Sequence, residues 1–228
     1  MTILVVTGTS TDVGKTIATA ALGAAAIALG ATVGVAKPAQ TGVGPGESAD
    51  LAEVQRLTGI TRTVESARYP DPLAPDVAAR LASMKQLELE TVIGDIRSLD
   101  TDLVLVEGAG GLLVRLGAGG FTLLDIARTL GVPVVVVCGA ELGTLNYTAL
   151  TVGALERAGV ICAGLILGSW PAAPDLAART NLGELPGVTG VPIFGRIPAG
   201  AGKMGRRDFT AAAPAWFEAS ALADILSW

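Results

Sequence analysis

The chain has 228 residues, half of them hydrophobic, with a formal charge of −5 and no histidine. That length suits one large α/β domain. The acidic balance, without any run of Lys or Arg, argues against nucleic acid or an anionic membrane surface as the main partner. The missing imidazole excludes Ser-His and Cys-His nucleophile systems and His-ligated zinc, leaving lysines, hydroxyls, carboxylates, backbone amides or a bound cation to carry chemistry.

The opening run MTILVVTG is apolar but has no basic leader and enters a glycine turn, so it reads as a strand and not a signal peptide. Short apolar runs of the kind expected for strands buried on both faces occur at 3–6, 32–36, 103–106, 134–138, 162–167 and 191–197. Helical patterns lie at 15–29, stopped by Gly30, then at 48–57, 87–99, 123–130 and 144–157, stopped by Gly159. Strands alternating with such helices predict a single α/β domain over 1–228, with right-handed crossovers and a mostly parallel central sheet carrying helices on both faces. Ligands are then expected at the carboxyl ends of the strands.

The Gly- and Pro-rich segments at 42–46, 70–75, 117–120 and 198–205 read as loops, and no internal repeat is seen. No apolar stretch reaches the roughly 18–20 uninterrupted residues of a bilayer span, which makes the cytoplasm the expected compartment. Cys138 and Cys162 sit in apolar stretches and read as buried, reduced thiols. Trp216, Phe217 and Trp228 read as packing the final helix onto the body, and Lys203, Arg206 and Arg207 as solvated surface.

The segment VVTGTSTDVGKT follows the first strand and opens the first long helix, the context a phosphate-binding loop requires. Gly14, Lys15 and Thr16 supply its ending: backbone N–H groups at a helix N-terminus face phosphate oxygens, Lys15 reaches the β and γ phosphates, and the Thr16 hydroxyl ligates Mg²⁺. The usual first glycine is displaced by one residue, from Thr9 to Gly8.

Four further loops are expected at the same sheet edge. Lys37 follows the second strand, where Pro38 forces an extended exit that aims the lysine towards Lys15; a surface lysine is the alternative. In LVEGAGG, Glu107 ends a buried strand beside glycines that permit close backbone approach, and is a Mg²⁺ ligand, a helix cap or an ion-pair partner on the residues alone. Asp50 lies in a first helical turn, where acids are common for dipole reasons. Gly143 and Thr144 open a helix whose free N–H groups suit an anionic tail or simple capping. The loops after Leu167 and Phe194 would flank a nucleotide base.

These residues resemble dethiobiotin synthetase, through GTSTDVGKT at 8–16, KPAQTG at 37–42, Asp50, VEGAGG at 106–111, LGTLN at 142–146 and GRIP at 195–198. The motifs stand in family order along nearly the whole chain, and the displaced first glycine is a habit of that family. The resemblance implies an ATP-dependent carboxylation of 7,8-diaminopelargonic acid with CO2, through a carbamate and a carbamic-phosphoric anhydride, in biotin biosynthesis. By that likeness Lys15 and Lys37 stabilise charge on the transferred phosphoryl group with Thr11 nearby, while Thr16, Asp50 and Glu107 hold Mg²⁺. ATP contacts would also come from Asp12, Val13, Gly14, Ile17, Gly108, Ala109, Gly110, Gly168, Ser169, Ile197, Pro198 and Ala199. Thr41 would touch the diamine. The substrate carboxylate would sit on Gly143, Thr144, Leu145 and Asn146 of a second subunit, which implies a homodimer.

Two positions depart from the family pattern. Ser10 stands where an acid is common, and Gly168-Ser169 replaces an Asn-Asp pair whose amide reads adenine, so weak discrimination among nucleoside triphosphates is expected. Rival readings are a partitioning-type ATPase, which would carry an extra lysine early in the loop, a cobyrinate-type synthetase, which would need a Cys-His pair, and a small-molecule kinase.

Overall fold

The computed structural model describes residues 1–44 and 46–227, so the Trp228 expectation lies outside the described residues. Seven strands form one sheet: β1 (Thr2–Gly8), β2 (Val33–Thr41), β3 (Thr63–Tyr69), β4 (Leu103–Gly111), β5 (Val134–Cys138), β6 (Cys162–Trp170) and β7 (Ile193–Pro198). Their order is β3-β2-β4-β1-β5-β6-β7, with every neighbouring pair parallel. The six apolar runs all become strands.

Around the sheet lie α1 (Lys15–Ala28), α2 (Asp50–Thr58), α3 (Pro75–Leu81), α4 (Leu89–Arg97), α5 (Leu123–Leu130), α6 (Thr144–Arg157), α7 (Leu176–Thr189), α8 (Arg206–Ala212) and α9 (Ala219–Ser227). Strand alternation sends Val5, Val104, Val106, Val134 and Val136 to one face, where Ile93 and Ile96 of α4, Ile126 of α5 and Leu155 of α6 meet them. Leu4, Val6, Leu105, Val135 and Val137 point to the other face, against the alanines of α1, Leu57 of α2 and Phe209 of α8. Burying a Val, Leu or Ile fully contributes roughly 1.5–3 kcal/mol, and both faces are built from such residues. The small side chains of α1 let its axis come close to the sheet, and that helix carries the phosphate loop at its start.

One edge strand escaped the apolar pattern. β3 reads TVESARY and is mostly half-buried, with Arg68 paired to Glu65 at 2.7 Å, so its polarity reflects its place at the sheet edge. β2 and β4 also run further than their apolar runs, to Thr41 and Gly111, so Lys37 and Glu107 lie within strands and not after them. Cys138 is buried, but Cys162, the first residue of β6, is only half-buried. Phe217 packs on Phe194 of β7 and Trp216 on Phe209 of α8, while α9 itself is anchored by Leu222 and Ile225.

The sheet divides at its carboxyl end. β2 pairs with β4 only as far as Ala36 opposite Val106, and beyond that point β2 continues with β3 alone, from Lys37 opposite Glu65 to Thr41 opposite Tyr69. Pro38 has no N–H to give to β4, which suits it to the place where that pairing has ended. Lys37 and Glu107 are the first residues past the last β2–β4 pair. They therefore face each other across an opening cleft.

Candidate active site

Four chain segments meet at that cleft. The phosphate loop turns through Asp12, at a positive φ of 57°, and Gly14, at 93°, before α1 begins. The Lys15 ammonium donates to the Ser10 carbonyl at 2.9 Å, so the lysine's anchor is a backbone oxygen and does not need an acid at position 10. The Thr16 hydroxyl donates to Glu107 Oε1 at 2.8 Å, which ties the loop to β4.

Lys37 is 2% exposed, which overturns the surface-lysine alternative. Its ammonium lies 2.8 Å from Glu107 Oε1 and 2.5 Å from Asp50 Oδ2, and it donates to the Gly108 carbonyl at 3.1 Å. Glu107 is wholly buried, and its second oxygen, Oε2, has no hydrogen-bond partner. Burial alone would push the Lys37 ammonium to lose its proton, but the Glu107 and Asp50 carboxylates outweigh it and hold the pKa above the ordinary lysine value. Lys15 is shifted the other way, lowered by burial and by the neighbouring Lys37 charge. Burial opposes ionisation of Asp50, yet its contact with Lys37 brings the pKa below the usual carboxylate range.

These groups share one cavity of about 440 Å³, lined by Thr11, Asp12, Gly14, Lys15, Thr16, Ile17, Lys37, Thr41, Asp50, Glu107, Ala109 and Gly110 among the residues expected from sequence. Ala39 and Gln40 also line it and were not singled out in the sequence, although both stand inside KPAQTG. A second cavity of about 440 Å³ shares Thr11 and Gly110 and runs along Leu112 to Val114 towards Leu150 and Ala154 of α6.

The remaining expected residues lie outside both cavities. Gly168 packs directly beneath the phosphate loop: a Cβ there would sit 2.0 Å from the Val13 carbonyl oxygen. Ser169, Pro198 and Ala199 are exposed, whereas Ile197 is wholly buried, backbone and side chain alike. Gly143, at φ 99°, precedes α6 with no side-chain cap, and the Thr144 hydroxyl is spent on the Gly139 carbonyl at 2.8 Å. Asn181 of α7 fixes the same turn, donating to the carbonyls of Ala140 and Glu141, both at 3.0 Å. The late loop is more than solvated surface. Arg206 donates to the Gln55 and Arg56 carbonyls at the end of α2, and Arg56 to those of Gly202 and Met204.

A chelated cation can be tested against these donors. Mg²⁺ is commonly held by one or two carboxylates together with substrate phosphates and water. Two carboxylates, one with an orphaned buried oxygen, and the Thr16 hydroxyl fit that pattern.

Comparisons with known proteins bear on the family. A family profile described as "AAA domain" matches residues 2–202. The ATP-dependent dethiobiotin synthetase BioD of Rhodococcus jostii (strain RHA1) is 59% identical over 100% of this chain and 99% of its own. The chain belongs to the ATP-dependent dethiobiotin synthetase family. Relatives of the same name from Streptomyces coelicolor and Mycobacteroides abscessus are 55% and 52% identical over 95% and 90% of this chain, covering 92% and 90% of theirs. Membership makes the chain an enzyme of the ligase class with a nucleotide-binding phosphate loop.

Among solved structures, the cell division protein MinD of Aquifex aeolicus superposes with a TM-score of 0.55 at 17% identity, over 100% of this chain and 96% of that one. A ParA family ATPase from Chlorobium tepidum gives 0.54 at 14%, over 100% and 98%. At such identities the likeness shows the fold alone. Among the described residues no helix is long and apolar enough to cross a membrane.

Proposed function

We propose that the chain closes a ureido ring on 7,8-diaminopelargonic acid, using CO2 and ATP and releasing ADP and phosphate. The observation that carries this is the buried Lys37 ammonium, clasped by Asp50 and Glu107 in the same cavity as Lys15 and Thr16. Phosphoryl transfer needs positive charge placed around the moving group before it moves. Lys15, on its phosphate loop, would hold the outer phosphates.

Lys37 would stabilise the carbamate formed when one amine takes up CO2, and then the oxygen that attacks the γ-phosphate. Thr11, which lines both cavities, would hydrogen-bond beside the reacting groups, and Thr41 would face the diamine. The second amine then attacks the activated carbonyl, a C–N bond forms, and phosphate departs with the C–O bond's electron pair. Thr16, Asp50 and Glu107 would hold Mg²⁺, which supplies neutralisation of phosphate charge.

The start of α6 (Gly143, Thr144, Leu145, Asn146) lies outside the cavity of its own chain, which supports its serving the substrate carboxylate of a second copy. Exposed Leu113, Leu142, Tyr147 and Leu150 offer apolar area for such a homodimer. A cytoplasmic setting fits these substrates.

The test is phosphate release with diamine and bicarbonate each omitted in turn. Release that requires both is expected; release that ignores bicarbonate would end the proposed chemistry. A nucleotide-gated switch would instead give slow hydrolysis indifferent to either compound.

A further inference from the structure

Asp50 reaches Lys37 from a helix that begins with a weak start. The residue before α2 is Ala49, whose side chain cannot accept a hydrogen bond from the first turn, and no side-chain cap from it is present. The segment that leads into α2 carries Gly42, Gly44 and Gly46, residues that surrender the most backbone freedom when ordered. Yet the Asp50 carboxylate sits on Lys37 at 2.5 Å although its own side chain is a third exposed.

Gln40 supplies the missing acceptor from the neighbouring strand. Its Oε1 accepts the Asp50 N–H at 3.4 Å, and its Nε2 donates to the Thr41 carbonyl at 3.2 Å. The side chain is 6% exposed and lines the same cavity as Lys37, Thr41 and Asp50. One carboxamide thus joins the end of β2 to the start of α2. No apolar residue of equal size makes either bond, and Glu would keep the acceptor, lose the donor and add a charge beside two carboxylates.

We infer that Gln40 is a positioning residue, which holds Asp50 on Lys37 and so sets the separation of the two carboxylates that would share a divalent cation; this rests on the function proposed above. Gln40 touches the carboxylate of neither Asp50 nor Glu107. It acts through the backbone of Asp50.

The experiment is a double-mutant cycle between Gln40→Leu and Asp50→Asn, read in two ways on the full chain. In the nucleotide-free protein, melting temperature reports the Lys37–Asp50 pair. If Gln40 aligns it, Asp50→Asn costs clearly less in the Gln40→Leu background than in wild type. Losses that simply add would overturn the inference, and this arm stands whether or not the ring-closing reaction is correct.

In the second arm, the Mg²⁺ concentration for half-maximal phosphate release rises about tenfold in Gln40→Leu, the scale expected when an outer-shell partner of a ligand is lost. In the Asp50→Asn background the same substitution then changes it less than twofold. A tenfold rise in both backgrounds, or in neither, would refute action through Asp50. Gln40→Ala, which leaves room for water, replaces Gln40→Leu if that variant does not fold. Wild type releasing no phosphate with diamine and bicarbonate would defeat the proposed function and leave the melting arm to decide on Gln40.

Discussion

Replacing Lys37 with alanine removes the ammonium that ion-pairs with both Asp50 and Glu107 in the nucleotide-free enzyme. Glu107 is wholly buried and already has one orphaned oxygen, so losing Lys37 leaves a buried charge that keeps the Thr16 hydroxyl as a donor and the Lys15 charge nearby but has lost its own ion-pair partner. Removing one partner of a buried pair costs about 3–5 kcal/mol. The lower end applies, because Asp50, a third exposed, is partly screened by water and contributes less than the wholly buried Glu107. For a chain of this size about 3 kcal/mol lowers the melting temperature by roughly 6–12 °C, while a total stability of about 5–15 kcal/mol leaves the fold intact.

Turnover should fall on the order of a thousandfold, about 4 kcal/mol of transition-state stabilisation. Thermal melting without nucleotide and phosphate release with diamine and bicarbonate measure the two effects separately. A second substitution isolates the cause: Glu107→Gln added to Lys37→Ala removes the stranded charge and should recover part of the lost melting temperature, without restoring turnover. If the double variant is no more stable than Lys37→Ala, uncompensated charge is not what destabilises it. Near-normal turnover in Lys37→Ala would remove Lys37 from the chemistry.

Other outcomes can be stated briefly. Gly168→Ala places a Cβ against the Val13 carbonyl, so the phosphate loop must shift and nucleotide affinity should drop roughly tenfold or more; titration with ATP giving a wild-type Kd would show that the loop yields freely. With Gly168-Ser169 offering no side-chain amide to a base, affinities for ATP, GTP and CTP should lie within about a hundredfold, roughly 2.7 kcal/mol, and a larger preference for ATP would refute this. Burial pushes the Cys138 thiol up to about 12 and Cys162 to about 11, so at pH 8 each is thiolate in less than roughly one molecule in a thousand. Maleimide should therefore label the native protein slowly, Cys138 last, and rapid labelling of Cys138 without unfolding would contradict its packing. Because the folded state keeps these protons and the unfolded state releases them above about pH 8.5, stability should fall as pH rises beyond that value, and less so in Cys138→Ala.

Much of the scaffold was legible because its central strands are covered on both faces. Such strands must be continuously apolar, and runs such as VVVVC admit few other readings. The elements that escaped follow a different rule. β3 lies at the edge and spends its polar residues on an ion pair, while α7, opened by an Asp175 side chain that accepts the Ala178 N–H, carries Gly183 and Pro186 inside its helical span. The phosphate loop and KPAQTG were legible because glycine, proline and lysine are costly choices at buried places. Gln40 was not, since a glutamine looks the same in sequence whether it faces solvent or joins β2 to α2. Arg56 and Arg206 escaped similarly, because their bonds are to backbone carbonyls about 150 residues away in the chain.

The separation of β2 from β4 explains why these particular residues became a site. While two strands are paired, their backbones satisfy each other and their side chains alternate into the apolar layers on either face. Once Pro38 has no donor to offer β4, the next residues need other partners, and a buried carbonyl or carboxylate left there would be unpaired. Lys37 answers that need by bonding the Gly108 carbonyl and the Glu107 carboxylate together. The same ammonium that completes the unliganded fold therefore stands where a transferred phosphoryl group would need positive charge. Local stability and the proposed chemistry draw on one interaction, and Glu107 Oε2 is the part of it that folding alone leaves unsatisfied.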